Sequence, residues 1–373
     1  MRMTKSTVIS LLLLLVSTSL QANDSTAVVL TDSTETVAVR KPSFGKRVIN
    51  VLYGFVKEFS RVDTNYVEPA RYNFTAMIQN TNTYELYDVR PDERLNLQLS
   101  PRPSIKLGPY FGWRWIFLGY TFDLRHLTGN NKKEFDLSLY SSQIGIDLFY
   151  RKTGDDYRIR KINFANSDVD TSPMIDLNFD GIEASIKGFN IYYIFNHRKF
   201  SYPAAFNQSN VQRRSCGSPL VGFGYTKHTL SMDWNKLHQM VGERMGEDFA
   251  NEHMDADMNT GKIEYTDVSL SGGYGYNWVF ARNWVFAASL SAALGYKHTT
   301  SQTEHKSFSF RDFSINNINI DGVGRFGIVR NDNRWFMGAS TIVHTYTYKK
   351  EQFSSLNIFG SLNIYVGFYF GRR

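Results

Sequence analysis

The chain has 373 residues, 42 Lys and Arg against 35 Asp and Glu, one Cys, and 15% aromatic side chains. That length allows one large domain or two ordinary ones. A single thiol, Cys216, excludes an intrachain disulfide and any cysteine-rich metal cluster, and a net charge of +7 spread without a basic block excludes a nucleic-acid footprint.

Residues 1–22 read as a secretory signal, with Arg2 and Lys5 ahead of "VISLLLLLV" and small residues up to Ala22. The apolar core, about ten residues long, is too short to stay as a spanning helix. Residues 23–42, "NDSTAVVLTDSTETVAVRKP", are small and polar and predict a flexible tether. Residues 43–71 hold one helix and a lead-in. Across 44–60, Val48, Val51, Leu52, Phe55, Val56 and Phe59 recur at helical spacing, opposite Lys46, Arg47, Lys57 and Glu58. Such a stripe suits a helix on the periplasmic rim of a barrel, or a plug inside its lumen.

From Tyr72 to residue 373 the apolar residues recur at every second position, the period of a strand with two different faces. In 95–111 one row holds Leu95, Leu97, Leu99, Ile105, Leu107 and Phe111. In 114–125 it is Ile116, Leu118, Tyr120, Phe122 and Leu124; in 133–141, Phe135, Leu137 and Leu139. After "SQ" the parity flips to Ile144, Ile146, Leu148 and Tyr150, which marks a hairpin turn. The stretch "NWVFARNWVFAASLSAALGYKH" sorts into Trp284, Phe286, Ala288, Leu290, Ala292, Leu294 and Tyr296 on one side and small or polar residues on the other. Later strands repeat this through Val268, Leu270, Tyr274 and Tyr276, then Ile318, Ile320, Phe326 and Ile328, and finally Leu356 to Phe370. Alternation is weaker in 72–88, 183–195, 215–229 and 334–348, but counting them gives about twelve strands.

A thirteenth strand at "FSYPAAF" would put the two chain ends on opposite sides, and Pro203 argues against it. Residues 196–214 therefore read as a periplasmic connection. The short turns "FGWR", "SQ", "NWVFARN" and "NDN" then share its side, and the long loops 153–182, 232–262 and 299–309 fall on the other. No later run offers 18 consecutive apolar residues. The expected fold is all-β, a transmembrane antiparallel up-and-down barrel over residues 72–373, placed in the outer membrane with both termini periplasmic. A sheet facing lipid must close, because unpaired backbone groups cannot. Trp278, Trp284, Tyr296, Tyr276 and Phe370 are the expected membrane-girdle residues.

Four stretches carry more than this alternation: "GPYFGWRWIFLGYTFDL", "DLSLYSSQIGIDLFYRKTGDDYRI", "NIYYIFNHRKFSYPAAFNQSNVQRRSCGS" and "YVGFYF". From about residue 61 onward the chain resembles a Bacteroidota outer-membrane β-barrel family catalogued as a domain of unknown function, number 4421. The third stretch is the most specific, since barrel alternation does not explain its order of polar and aromatic residues. The resemblance implies an outer-membrane barrel and brings no catalytic residues with it. Barrel assembly signals commonly end on an aromatic residue, whereas Phe370 is followed by "GRR".

Motifs for chemistry are weak. "GVGRFG", Gly322 to Gly327, has dinucleotide-loop spacing but sits inside a strand with no helix after it. "DADMNTG" starts like a calcium loop, yet its sixth residue is Thr260 and its twelfth Thr266, so a solvated acidic loop explains it better. His238 and His253 share a loop with Glu243, Asp248 and Glu252, without spacing diagnostic of zinc or a nucleophile. "DST" at Asp24–Thr26 and Asp32–Thr34 is similar to a short O-glycosylation motif. No cofactor and no metal is expected. The inward faces are expected to hold Lys106, Arg151 and Arg325 against Asp123, Asp136, Asp147, Asp267 and Asp321. Such charges either pair across a narrow lumen or line a weakly selective channel. Passage of a small polar solute is the leading expectation for function. A closed structural or docking barrel is the alternative, with loop 232–262 and its helical pattern "WNKLHQMVGERM" as the contact surface, and a barrel-embedded hydrolase comes third. The expected partners are outer-membrane lipid and the barrel-assembly machinery.

Overall fold

The structure, a computed structural model, describes residues 61–69, 71–113, 116–119, 122–123, 132–165, 167–254, 262–300, 317–350 and 353–372. The expected signal, tether and 44–60 helix lie outside the described residues, as does the "DADMNTG" stretch and most of 299–309. In chain order the elements are β1 (Val67–Pro69), β2 (Tyr72–Arg90), β3 (Leu95–Pro101), β4 (Ser104–Trp113), β5 (Ile116–Gly119), β6 (Phe122–Asp123), β7 (Lys133–Tyr140), β8 (Ile144–Lys152), β9 (Tyr157–Phe164) and β10 (Ile182–Ile194). They continue with α1 (Tyr202–Phe206), β11 (Asn210–Gln212), β12 (Cys216–Met232), α2 (Trp234–Met245), α3 (Glu247–His253), β13 (Ile263–Ala281), β14 (Trp284–Thr300), β15 (Ile318–Asn331), β16 (Trp335–Lys350) and β17 (Phe353–Arg372).

Twelve strands form one antiparallel sheet in the order β5-β4-β2-β17-β16-β15-β14-β13-β12-β10-β8-β7, with β6 continuing the line of β5 along β4. The chain therefore runs up and down, and the two ends of the order are successive in sequence. No ladder between β5–β6 and β7 is found among the described residues. Side chains bridge that seam instead: Glu134 of β7 accepts from Lys106 of β4 and from Thr83 Oγ1 of β2, the latter at 3.3 Å.

Period two holds around the sheet. Leu270, Leu290, Leu294 and Ile320 are each more than 60% exposed, while their neighbours Asp267, Ser289, Lys297 and Asp321 are buried. An apolar belt of this extent is foreign to a water-facing surface and at home in hydrocarbon. Most of the wall strands exceed the roughly 9–11 residues that a tilted strand needs to cross. The fold is that of a transmembrane β-barrel; among the described residues no helix is long and apolar enough to cross a membrane. The terminal end carries residues 61–72, Arg372 and the short turns, and the opposite end carries the long loops.

Four expectations need correction. First, 95–111 is not one strand. The chain breaks at Arg102–Pro103, where proline removes a ladder donor, so β3 leaves the wall and pairs with the tip of β2 and with β9, while β4 stays in the wall. Second, loop 153–182 contains a strand, β9. Third, "NWVFARN" is mostly ladder: Ala281 pairs with Trp284, and only Arg282 and Asn283 turn, with Asn283 at φ 65°, a left-handed conformation that Asn tolerates. Fourth, 196–214 is not a plain connection; it folds into the barrel.

Loop 232–262 does begin with a helix on "WNKLHQMVGERM". Asp233 caps α2 by accepting from Lys236 N at 3.0 Å, and Gly246, at φ 106°, ends it. Trp234, Leu237 and Val241 bury one face, at the i, i+3, i+7 spacing of an amphipathic helix.

Candidate functional site

The barrel interior is built in layers from the terminal end to the loop end. The first layer is the segment 195–215. Ser201 caps the short helix α1 by accepting from Ala204 N at 3.2 Å, and Pro203 supplies a preset φ in its first turn. Tyr202 and Phe200 are almost wholly buried. The Tyr202 ring packs against Tyr140 of β7 at 5.9 Å and Tyr192 of β10 at 5.6 Å, and its hydroxyl meets Ser289 Oγ of β14 at 2.5 Å. Amides secure the rest. Asn277 Nδ2 of β13 donates to Ser201 O at 2.9 Å and Gln212 Oε1 at 3.0 Å. Gln208 Nε2 donates to the Tyr365 hydroxyl of β17 at 2.7 Å, and the Tyr369 hydroxyl donates to Gln208 O. Under α1 lies Gly327, where an added Cβ would come within 3.4 Å of Phe206. A side chain there would make ordinary contact with the plug, and "GVGRFG" lies within β15 with no helix after it to bind pyrophosphate.

The lead-in locks this plug from outside. β1 pairs with β11. Arg213 donates to Glu68 and, at 2.7 Å, to Asn283 Oδ1 of the β13–β14 turn. Asn333 Nδ2 of the β15–β16 turn donates to Glu68 at 2.5 Å, and Arg71 pairs with the same carboxylate at 2.6 Å. Burial alone pushes the Glu68 carboxyl up, but Arg213 and Arg71 outweigh it and hold the group below its ordinary value of 4.5.

The second layer crosses the lumen. Arg325 of β15 pairs with Asp147 of β8, five places away in the strand order, and Ser138 Oγ donates to the same carboxylate at 2.7 Å. The Arg325 guanidinium also lies over the Tyr192 ring at 4.9 Å. Tyr192 reaches that position by lying on Gly145, where an added Cβ would sit 2.1 Å from the ring. The third layer is aromatic. Phe149 of β8, His344 of β16 and Phe359 of β17 touch at 4.9–5.8 Å between centroids, with Ile186 and Tyr346 beside them.

A charged layer follows. Arg151 donates to Asp136 at 2.7 Å and Glu85 at 3.3 Å, and lies over Phe359 at 4.7 Å. Lys132 reaches Glu134 at 2.7 Å and Glu85 at 3.2 Å, and Tyr157 of β9 donates to Glu85. Lys106, also bound to Glu134, is opposite Asp123 on the β4–β6 ladder. On the far wall, Lys297 Nζ donates to Asp321 at 2.9 Å and is opposite Asp267 on the β13–β14 ladder. The carboxylate of Asp267 folds over Gly295 and has no hydrogen-bond donor among the described residues.

The loop end is roofed. β3, β9, α2 and α3 bring Leu95, Leu97, Leu99, Ile159, Leu237 and Val241 into one buried core that rests on Tyr87, Tyr265 and Tyr348 of the wall. His253 belongs to this roof: its ring stacks on Phe249 at 4.1 Å and meets Phe164 edge-on at 5.9 Å. It is not joined with Glu243, whose carboxylate accepts from Gln239 at 2.9 Å. Two interior cavities, beside Arg151 and beside Tyr265, measure about 40 and 10 Å³, room for a water or so. Among the described residues no group of three His, Cys, Asp or Glu could hold a metal ion.

Of the eight expected inward charges, Asp147, Arg151, Asp267, Asp321 and Arg325 are buried, Lys106 and Asp123 are half-buried, and Asp136 is partly open to solvent. The structure joins Asp147 with Arg325, and Asp136 with Arg151; Asp321 takes Lys297, a residue the expectation left out. Glu85, Glu134 and the whole plug were missed as well. Trp278, Tyr276 and Phe370 are exposed on the outer face, while Trp284 and Tyr296 are half-buried there.

Among solved structures, the chain is similar to the translocator domain of the Neisseria meningitidis autotransporter NalP, with 9% identity, TM-score 0.29, and 87% of this chain and 96% of that one covered. It is similar to the toluene transporter TodX of P. putida, at 8% identity, TM-score 0.24 and 81% and 91% coverage. Against OprG, an outer-membrane protein of Pseudomonas aeruginosa, the values are 7%, 0.23, 81% and 98%. Likeness at this level carries no functional argument. No curated protein matches the chain. A family model does, over residues 61–370, so that plug, wall and roof all fall within one match: the chain belongs to the family described as Domain of unknown function (DUF4421).

Proposed function

We propose that the chain is a closed outer-membrane barrel, with periplasmic termini, that presents its roofed loop end as a rigid docking surface and has a structural role, neither catalytic nor solute-conducting. The observation carrying this reading is the Arg325–Asp147 pair, which spans opposite walls directly above the plug and below the Phe149–His344–Phe359 layer. Charges that pair across a narrow lumen seal it, and here bulky aromatic side chains flank the pair on both sides. The roof supports the docking half of the proposal. Its aliphatic core fixes α2 and α3 in place, so a partner would meet an ordered face at little cost in loop entropy. Lipid surrounds the wall, and the barrel-assembly machinery is the partner in folding.

Proteoliposome swelling tests it. Vesicles carrying the folded protein should swell in small sugars and amino acids no faster than protein-free vesicles. Swelling that rises with the amount of protein would favour passage of small polar solutes instead.

A further inference from the structure

On the hydrocarbon-facing side, near the terminal end, a slot opens across β16, β17, β2 and β4. The ladders place Trp335, Phe368, Ala76 and Phe111 in one row across these strands. Ala76 is the small member between bulky rings, and the slot above it measures about 640 Å³, with Ile78, Pro109, Phe111, Trp335, Val366 and Phe368 in its lining. That is within the roughly 300–1,000 Å³ of ordinary ligand pockets. Toward the termini it is closed by packed rings, Phe74 on Phe370 at 5.5 Å and Phe111 on Phe370 at 5.9 Å.

Two exposed arginines stand just beyond those rings. Arg372 is two residues past Phe370 on β17. Arg334 directly precedes Trp335, and its carbonyl accepts from Tyr369 N at 3.0 Å, which sets it against β17. Arg330, also exposed, ends β15 nearby. The acids near these positions are already engaged: Asp332 Oδ1 accepts from the backbone amides of Arg334 and Trp335 at 2.9 and 2.7 Å, and Glu68 is paired with Arg71 and Arg213. The place thus combines an apolar slot, interfacial aromatic rings and a net positive rim, in the order in which a lipid presents chain, glycerol and phosphate.

We propose that this slot binds one anionic glycerophospholipid from the leaflet at the terminal end, an acyl chain lying over Ala76 and the phosphate held by Arg334 and Arg372. Guanidinium groups suit the phosphate because they offer paired donors in one plane. The site depends on the transmembrane wall and is independent of whether the lumen conducts.

Native mass spectrometry of the full chain in mild detergent, given phosphatidylglycerol, phosphatidylcholine of the same chains, or lipid A, tests the assignment. The wild type should retain phosphatidylglycerol over phosphatidylcholine by about fivefold for each arginine engaged. Arg334→Gln with Arg372→Gln should abolish that preference while leaving heat-modifiable gel mobility unchanged. Ala76→Phe should lower retention of both phospholipids; if it fails to fold, the smaller Ala76→Leu replaces it. Equal retention of the two phospholipids by the wild type, an unchanged preference in the double variant, or lipid A displacing phosphatidylglycerol would overturn the proposal.

Discussion

The two ends of this barrel are closed by opposite kinds of chemistry. At the loop end the roof is apolar: leucines and isoleucines of β3 and β9 and the buried face of α2 pack on one another and on Val89, Ile182, Leu230, Met232, Phe353 and three tyrosines of the wall. At the terminal end the plug has little aliphatic core. It is held by rings and amides that find partners on β7, β10, β13, β14 and β17. Hydrophobic burial is non-directional, so the roof tolerates small shifts against the rim. Buried amides and hydroxyls tolerate few, because an unmade hydrogen bond costs more than a made one contributes. The plug is therefore specified by directional bonds to the barrel around it, and the roof by apolar packing on itself and on the rim.

Tyr202→Ala is the strongest way to break that contrast. It deletes a ring with no exposed surface and leaves Ser289 without its partner; the expected loss is about 3–5 kcal/mol, read by denaturant unfolding from vesicles. Protease cleavage within 196–214 should rise, and the roof should stay protected. Leu97→Ala makes the complementary cut. A fully buried leucine in the roof should cost about 2–4 kcal/mol, with faster cleavage in β3–β9 and none gained in the plug. A roof lesion that frees the plug would show that the two ends are coupled. Asn277→Ala removes two hydrogen bonds between wall and plug and should cost about 1–3 kcal/mol, seen as faster amide exchange at Ser201 and Gln212 alone.

The smallest effect concerns Glu68. Its carboxyl is held below 4.5 in the folded protein. A group depressed in this way stabilises the fold above its unfolded value and loses that contribution as pH falls through its folded value. Lead-in and plug should therefore loosen below about pH 4.5. Glu68→Gln should cost about 1 kcal/mol at neutral pH and flatten this part of the pH profile, measured by protease sensitivity at 61–71. Were the variant's pH profile unchanged, Glu68 would not be the hub of the terminal end.

The wall was legible in the sequence because one physical requirement, lipid on one face, repeats at every second residue from Tyr72 to Phe370. The helix at Trp234–Met245 was legible for the analogous reason, since Trp234, Leu237 and Val241 share one face. Neither rule sees the plug. "NHRKFSYPAAFNQSNVQRRS" has no period, because its side chains answer to strands remote in sequence; its only signal was an order of polar and aromatic residues that alternation left unexplained. The break between β3 and β4 is invisible to parity, since Leu99 and Ile105 keep the same phase on either side of Pro101 and Pro103. Glu85 was hidden because the tip of β2 runs under the roof. There Tyr87, Asp88 and Val89 are all buried, and the contrast between faces fades where one side no longer meets lipid. Lys297 stood in the expected inward row and was overlooked in favour of the acids it serves.

The central claim is that the interior is occupied from plug to roof. Single-channel recording of the purified full-length barrel in a planar bilayer tests it most directly. Folded protein, verified by heat-modifiable mobility, should insert and give no unitary current steps across moderate voltages. Stable, reproducible steps from the unmodified chain would mean that an aqueous path runs past Arg325 and Asp147, and the closed-barrel account would fall.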